Sequence, residues 1–463
     1  MASSFGNQLF ENLFTQACGR NGIQKEEPWF NWVELLDLDK VVELILLSYF
    51  ARGHVLLEGI NGLSKTVAAK QINGALMGKA LRAFYTFTGF DSMQRISGSP
   101  DLSPPDILGA DTLDEANQSL VYQDGPILRR GLVFLADELN RSPPKTQSAL
   151  LQPMAERKVI ITTNDSKRQS DNKLPSFFTI ATQNPEFHEG TFPLPEALLD
   201  RFMIKLRMPY TPSLEKLLLE SSSDPRERLR ASRTDRTELD MANRKNALET
   251  LKGELRERAG EQEYACLFTD KLEPSIVDKA NVEKEELNQL HKELRNIEEK
   301  LLSQRIAYLR SVQQDSQVSS IGRNEVTLIS RIVYFTWSQE SAQLLTPEIT
   351  KRVSHNSELQ SLVEGVVQGA SPRAALAMRD LAKARAWSRS DIYDAGNSDE
   401  CRDQFELKPD EDIPEDSLPS VTTKDIRDIA PAVLNHRVTM RFRSELTPEK
   451  MIEELVSKIS WQI

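Results

Sequence analysis

Eight residues, Gly59-Ile-Asn-Gly-Leu-Ser-Lys-Thr66, stand directly after an apolar run and directly before a helical pattern. Glycines let backbone N–H groups approach an anion closely, and a helix N-terminus beneath them adds a favourable dipole. On this reading Gly59, Asn61, Gly62, Leu63, Ser64, Lys65 and Thr66 cradle the phosphates of a nucleotide. Lys65 would reach the β- and γ-phosphates, and the Thr66 hydroxyl would ligate magnesium. One position departs from the usual pattern, because Ser64 stands where a second glycine is common. A plain glycine turn between strand and helix would look similar, so the loop needs support from elsewhere in the chain.

That support comes from two further apolar runs. Leu132-Val-Phe-Leu-Ala-Asp-Glu138 ends in a pair of acids. Carboxylates at a strand end are costly to hold unless they meet a cation or water. Asp137 is placed to hold magnesium and Glu138 to polarise an attacking water. A solvated acidic turn is the bland alternative, and it loses ground once a phosphate loop lies upstream in the same sheet. Phe177-Phe-Thr-Ile-Ala-Thr-Gln-Asn184 ends in an amide, which could orient water near a γ-phosphate.

The elements that must position these residues follow from the pattern around them. From about 39 to 212, short apolar runs alternate with helical periodicity, the signature of an α/β layer with a parallel sheet covered by helices. His54–Glu58, Leu132–Ala136 and Phe177–Thr182 are the expected strands, and each runs into polar residues at its C-terminal end, where open α/β sheets bind ligands. Residues 1–38 read as an irregular extension anchored by Trp29, Phe30 and Trp32. Residues 213–320 are highly charged and carry leucine seams at Leu248 to Leu255 and at Leu287 to Leu301. They are expected to form a coiled-coil-like helical hairpin standing in solvent. An all-helical domain over 321–463 follows, interrupted by an acidic loop at 391–419.

Composition narrows the function classes. Hydrophobic residues make up 39% and charged residues 27% of the 463, ordinary proportions for a globular protein of two or three domains. No apolar run approaches the roughly 20 residues of a membrane helix. Met1 to Arg20 lacks a basic stretch followed by an apolar one, so no secretory leader is expected there. Cys18, Cys266 and Cys401 are few and far apart, which argues against a disulfide framework or a zinc site and suits a cytoplasmic setting. The net charge of −11 disfavours nucleic acid as the main partner, since phosphate binding draws on a basic excess.

Longer motifs resemble those of the MoxR family of AAA+ ATPases. The resemblance lies in Ala136-Asp-Glu-Leu-Asn-Arg-Ser-Pro-Pro-Lys-Thr-Gln-Ser-Ala-Leu-Leu151, in Thr182-Gln-Asn-Pro185, and in Glu189-Gly-Thr-Phe-Pro-Leu-Pro-Glu-Ala-Leu-Leu-Asp-Arg-Phe202. Residues 98–124 are similar to the helix-two insertion that the family shares with magnesium-chelatase subunits. Gly369-Ala-Ser-Pro-Arg373 and the stretch from Val421 to Arg437 are similar to its helical lid.

The resemblance implies ATP and Mg2+ as cofactors and a ring, with six subunits expected. It makes Asn184 the first sensor, Arg201 the arginine finger reaching a neighbouring subunit's γ-phosphate, and Arg373 the sensor-two arginine, whose side of the interface varies among related rings. It also implies chaperone-like remodelling of a partner protein carrying a von Willebrand A domain. A nucleic-acid motor and a slow nucleotide-gated scaffold are the alternatives. Lys158 to Ser176 looks like a hairpin of the kind that faces a ring's channel, with Lys167 and Arg168 near its tip. Three departures stand out. The Val-Gly-Gln adenine signature is missing from Trp32 to Lys40, which leaves base recognition unassigned, with Arg52 to His54 as candidates. Residues 79–92 run longer than in the family. His54, His188 and His436 have no metal spacing and read as structural.

Overall fold

A computed structural model describes residues 5–19, 35, 38–60, 64–88, 92–114, 119–129, 131–162, 169–174, 177–185, 190–208, 284–336, 366–389, 419–440 and 447–459. Trp29, Phe30, Trp32, Asn61, Gly62, Leu63, Lys167, Arg168, His188, the Leu248 to Leu255 seam and the acidic loop lie outside those residues.

The runs expected as strands form the middle of a five-stranded sheet. β1 is Val55–Glu58, β2 Gln94–Ser97, β3 Gly109–Asp114, β4 Ser119–Asp124, β5 Phe134–Asp137, β6 Lys158–Thr162, β7 Gln169–Lys173, β8 Thr179–Gln183 and β9 Ile204–Arg207. The sheet order is β2-β5-β8-β1-β9, with every pair parallel. Each expected strand begins one or two residues later than its apolar run, because the first apolar residues feed the core before pairing starts. β1, β5 and β8 are buried along their whole length, as a parallel sheet covered on both faces requires. Alternation sorts their side chains. Val55, Leu57, Leu135 and Ile180 join one apolar cluster, while Leu56, Phe134, Ala136 and Ala181 join another on the opposite face.

β3 and β4 pair as an antiparallel hairpin after the short helix Pro104–Leu108, within the expected insertion. β6 and β7 form the hairpin expected between Lys158 and Ser176. Residues 321–463, the stretch expected as the lid, contain the helices Arg323–Phe335, Pro372–Ser388, Thr423–Leu434 and Pro448–Lys458 among the described residues. This stretch is not wholly helical, since β10 (Val366–Gln368) and β11 (Thr439–Met440) form a short antiparallel ladder. Among the described residues no helix is long and apolar enough to cross a membrane.

Two further expectations need correction. The N-terminal extension is not irregular throughout, because Phe5–Ala17 is a helix. Phe10, Leu13 and Ala17 are buried on one face of it, at spacings of three and four. They join the cluster that contains the helices Asp39–Phe50 and Lys65–Thr88.

The second correction concerns the charged insertion. Lys284–Ser316 is a single helix, which agrees with the second leucine seam. Its C-terminal half does not stand in solvent. Leu301, Leu302, Ile306, Leu309 and Val312 are buried in the main core. The helix Lys65–Thr88 breaks at Gly78, where φ is 73° and ψ 168°. A break frees carbonyls that would otherwise accept helical bonds. Arg305 Nε donates to Leu76 O (2.7 Å) and Arg82 Nη1 to Gly74 O (2.8 Å). Farther along, Gln313 Nε2 donates to Tyr49 O (2.8 Å) and Ser316 Oγ to Phe50 O (3.1 Å). This half of the helix braces the helix after β1 and the helix before it. Leu309→Ala should therefore cost about 2–5 kcal/mol of stability, read from denaturant unfolding. A change within a few tenths of a kcal/mol would return the helix to the solvent-facing role.

His54 fastens the start of β1. Its Nδ1 accepts from Thr179 N (3.0 Å), its Nε2 donates to Met154 O (3.1 Å), and its ring meets Phe177 edge-on. Burial, followed by repulsion from Arg157, lowers its pKa to about 3. The unfolded chain takes up this proton below about pH 6.5 while the folded chain resists it. Stability is thus fully present above that pH and falls as pH drops towards 3. Between pH 7.5 and 5.0 this histidine alone should remove about 2 kcal/mol. Burial lowers His436 in the same direction. Urea unfolding at the two pH values provides the check, and a flat profile would contradict it.

Candidate functional site

The C-terminal ends of β1, β8 and β5 lie side by side, and the expected chemical residues gather there. Lys65 opens the helix after β1 and is only 7% exposed. Its Nζ donates to Gly59 O, to Gln183 O (3.2 Å) and to Asn184 Oδ1 (2.8 Å). Burial lowers the lysine pKa, while Glu138, Asp137 and Glu58 act in the opposite direction. A buried ammonium with oxygen acceptors on one side is suited to meet a further anion.

Asn184 connects the lysine to the acids. Its Oδ1 faces Lys65, and its Nδ2 donates to Glu138 Oε1 (3.4 Å). Its backbone is held by Asn140, whose Nδ2 donates to Asn184 O (2.9 Å) and whose Oδ1 accepts from Asn184 N (3.3 Å). The amide is therefore aimed by a second amide from the segment after β5. Glu138 also pairs with Arg141 (3.2 Å).

Asp137 is the most heavily contacted carboxylate of the group. Thr66 Oγ1 lies 3.2 Å from both of its oxygens, Thr182 Oγ1 donates at 2.7 Å, and Arg95 Nη2 pairs at 2.7 Å. Cis ligands of an octahedral magnesium sit about 3 Å apart, so Thr66 and Asp137 fit as two oxygen ligands. Among the described residues no group of three or more His, Cys, Asp or Glu is arranged to hold a metal. A magnesium here would draw its other ligands from phosphates and water.

Two residues in the site have left-handed backbone. Ser64 has φ 55° and Glu138 φ 51°. The serine that replaces the usual glycine thus sits where glycine is favoured. At Glu138 the left-handed turn ends β5 and directs the carboxylate back towards Asn184. Gly98 permits this turn, since a Cβ there would lie 2.1 Å from Glu138 O.

The two arginines implied by the resemblance lie apart from this group. Arg201 Nε donates to Leu151 O (3.0 Å) and its Nη1 to Ala197 O. Arg373, whose side chain is 58% exposed, pairs with Asp200 Oδ2 (2.9 Å). Among the described residues neither bonds to Lys65, Thr66, Asp137 or Glu138. Arg373 is instead tied to Asp200, the residue before Arg201 in the chain.

The remaining expectations divide. Gly59, Ser64, Lys65, Thr66, Asp137, Glu138 and Asn184 converge, while Asn61, Gly62 and Leu63 lie outside the described residues. His54 cannot serve as an adenine contact, because both ring nitrogens are bonded within the core. Thr182, Asn140, Arg95, Arg141 and Gly98 were missed as site residues. Thr182 carried a readable signal, standing two residues before Asn184 on the strand beside β5. The other four depend on contacts that no local pattern displays.

Residues 54–204 match the family described as the ATPase family associated with various cellular activities (AAA). The chain is 41% identical over 189 residues to the uncharacterized protein YeaC of Bacillus subtilis, covering 40% of this chain and 53% of that one. It is 40% identical over 178 residues to Chaperone MoxR1 of Mycobacterium tuberculosis, covering 38% of this chain and 42% of the relative. The matched segment is similar to AAA ATPase domains, those of MoxR type among them. The chain spans about half the length of these curated relatives. A solved structure from Cytophaga hutchinsonii has a TM-score of 0.53 at 21% identity, covering 98% of this chain and 96% of that one, and shares the fold.

Ser64 gives this site a test of its own. Left-handed backbone costs a non-glycine residue about 1–2 kcal/mol, partly offset by the greater entropy that glycine loses on folding. Ser64→Gly should keep nucleotide affinity and leave stability equal or raised by up to about 1 kcal/mol. Ser64→Val should lose both, because a β-branched residue fits positive φ poorly. Thermal melts with and without ATP would show this, and loss of affinity in Ser64→Gly would refute it.

Proposed function

We propose that this chain hydrolyses ATP in a ring, with magnesium held by Thr66 and Asp137, and uses the cycle to remodel a partner protein. The observation that carries the reading is the line of contacts from Lys65 through Asn184 to Glu138. It sets a phosphate-binding cation and a carboxylate base at the two ends of one amide. Lys65 holds the β- and γ-phosphates, and Asn184 fixes the spacing between lysine and base. Glu138 accepts a proton from water as the water oxygen bonds to the γ-phosphorus and the bond to the bridging oxygen breaks. Magnesium, when bound, neutralises charge on the phosphate oxygens.

Arg201 acts on the γ-phosphate of a neighbouring subunit. Its place outside its own Lys65–Glu138 group supports this, as does its half-buried position on the segment that the lid contacts. Arg373 pairs with Asp200, the residue before Arg201 in the chain, and is assigned to the same interface. The hairpins β3–β4 and β6–β7 are assigned to the ring's channel. Six subunits and a partner with a von Willebrand A domain follow from the resemblance to MoxR, and a remodelling role is supported by the relative named Chaperone MoxR1. The net charge of −11 favours a protein partner over nucleic acid.

Three variants divide the roles. Lys65→Ala should lose ATP binding. Glu138→Gln should bind ATP and lose most turnover, and Arg201→Ala should lose ~10³ or more in rate. Mixing the last two should restore part of the activity, because some interfaces then combine Glu138 from one subunit with Arg201 from the next. Nucleotide affinity, phosphate release and mass are the measurements. Wild-type turnover in Glu138→Gln would sink the catalytic assignment, and absent recovery in demonstrably mixed rings would sink the shared site. Glu138→Gln with ATP should also retain the partner in a pull-down.

A further inference from the structure

Arg437 is a buried charged residue that the catalytic reading does not use. Its side chain is 3% exposed. Nε donates to Asp200 Oδ1 (3.3 Å), Nη1 to Met203 O (3.0 Å) and Val433 O (2.5 Å), and Nη2 to Asp200 O (3.2 Å) and Phe202 O (2.6 Å). A guanidinium has five N–H donors, and all five are engaged here. Burial lowers its pKa to about 10, so it remains charged at neutral pH. The neighbouring His436 Nε2 donates to the same Phe202 O (3.0 Å).

These acceptors have a pattern. Backbone carbonyls of residues 200, 202 and 203 lie on either side of Arg201. Both clamping residues follow the lid helix Thr423–Leu434. A second lid segment holds the same point, since Ser371 Oγ donates to Asp200 Oδ1 (2.7 Å) and Arg373 pairs with Oδ2 (2.9 Å). Burial would raise the Asp200 pKa, but the Ser371 and Arg373 bonds and the charge of Arg437 outweigh it and hold the carboxylate ionised. One residue beyond the clamp, β9 begins and pairs with β1. The Arg201 segment is therefore fixed by the sheet on one side and by two lid elements on the other.

We propose that Asp200 and Arg437 are positioning residues for Arg201, so that the lid of one subunit sets how its arginine meets the nucleotide of the next. This rests on the reading that Arg201 acts in trans. Lysine carries three donors on a flexible stem and cannot reproduce the five-fold planar clamp. Misplacement by about 1 Å can cost on the order of 100-fold in rate. Arg437→Lys should bind a fluorescent ATP analogue with wild-type affinity in its own site yet lose turnover by roughly 10- to 100-fold.

Mixed assemblies separate positioning from a general structural role. Arg437→Lys mixed with Glu138→Gln should recover activity, because the intact arginine then comes from the Glu138→Gln subunit and the intact base from the other. Arg437→Lys mixed with Arg201→Ala should not recover, since neither subunit presents a well-placed arginine. Asp200→Asn keeps the side-chain shape and removes the charge, so it should show the same pattern and decides the question if Arg437→Lys fails to fold. Wild-type turnover in the folded variant, loss of its own nucleotide affinity, or no recovery with Glu138→Gln would each overturn the clamp. Arg201→Ala is the control. If it keeps wild-type turnover, the trans reading falls and takes the clamp with it. If it is inactive and rescued by Glu138→Gln while Arg437→Lys is normal, only the clamp falls.

Discussion

A lysine ammonium with 7% of its surface exposed needs oxygen around it, and no single stretch of this chain could supply it. Its acceptors are Gly59 O at the end of β1, and Gln183 O with Asn184 Oδ1 at the end of β8. Those oxygens meet only because β8 pairs with β1 in parallel and in a register that sets Glu58 beside Gln183. β5 then flanks β8 on its other side, and its end delivers Asp137 and Glu138 to the same edge. Shift β8 by one residue and Asn184 would leave Lys65, while Thr182 would turn away from Asp137. The buried apolar packing along β1, β5 and β8, which runs into Glu58, Asp137 and Gln183, is thus more than core filling. It buries the sheet deeply enough that polar side chains emerge only at the strand ends, where the chemistry is proposed to occur.

Of the four non-glycine residues with left-handed backbone among the described residues, two lie at the same edge. Ser64 and Glu138 adopt left-handed backbone beside Lys65 and Asp137, respectively. Conformations of this kind cost of order 1–3 kcal/mol and persist where surrounding contacts over-determine them. At Glu138 the contacts can be named. Its N–H donates to Thr182 Oγ1 (2.8 Å), its carboxylate meets Asn184 and Arg141, and Gly98 leaves room for its carbonyl. A glutamate held in this way has little freedom to rotate, which suits a base that must face water in one direction.

The sequence made the strands and the chemical residues readable because both are local signals. An apolar run ending in Asp-Glu or Asn, and a loop ending in Lys-Thr, can be recognised without knowing what lies opposite. Arg95, Asn140 and Arg141 had no such signal, since their roles depend on partners in the folded site. The helix Lys284–Ser316 failed differently. Its periodicity announced a helix, but charge on its other faces suggested solvent, whereas the apolar face from Leu301 to Val312 continues the seam into the core. Periodicity tells which face is buried and says nothing about what buries it. Phe5–Ala17 was overlooked because its apolar face is short and interleaved with polar residues, and it becomes helical by packing on its neighbours.

Two kinds of contact join the lid to the sheet, and they differ in what they can transmit. One is apolar: Phe50 meets Trp387 at 5.0 Å between ring centroids, and both belong to a cluster that runs on into the lid helices. Apolar contact is non-directional, so it holds the lid against the sheet without dictating angle. The other is the set of bonds from Arg437, His436, Ser371 and Arg373 to residues 200–203. Hydrogen bonds weaken steeply off their preferred angle, and the guanidinium is a rigid plane. A lid that tilts over the apolar cluster would therefore keep most of its burial energy while having to carry residues 200–203 with it or break bonds at a buried charge. Breaking them is the costlier course, because an unpaired buried guanidinium is far less favourable than a slightly shifted loop. The geometry of this joint thus makes the Arg201 segment follow the lid.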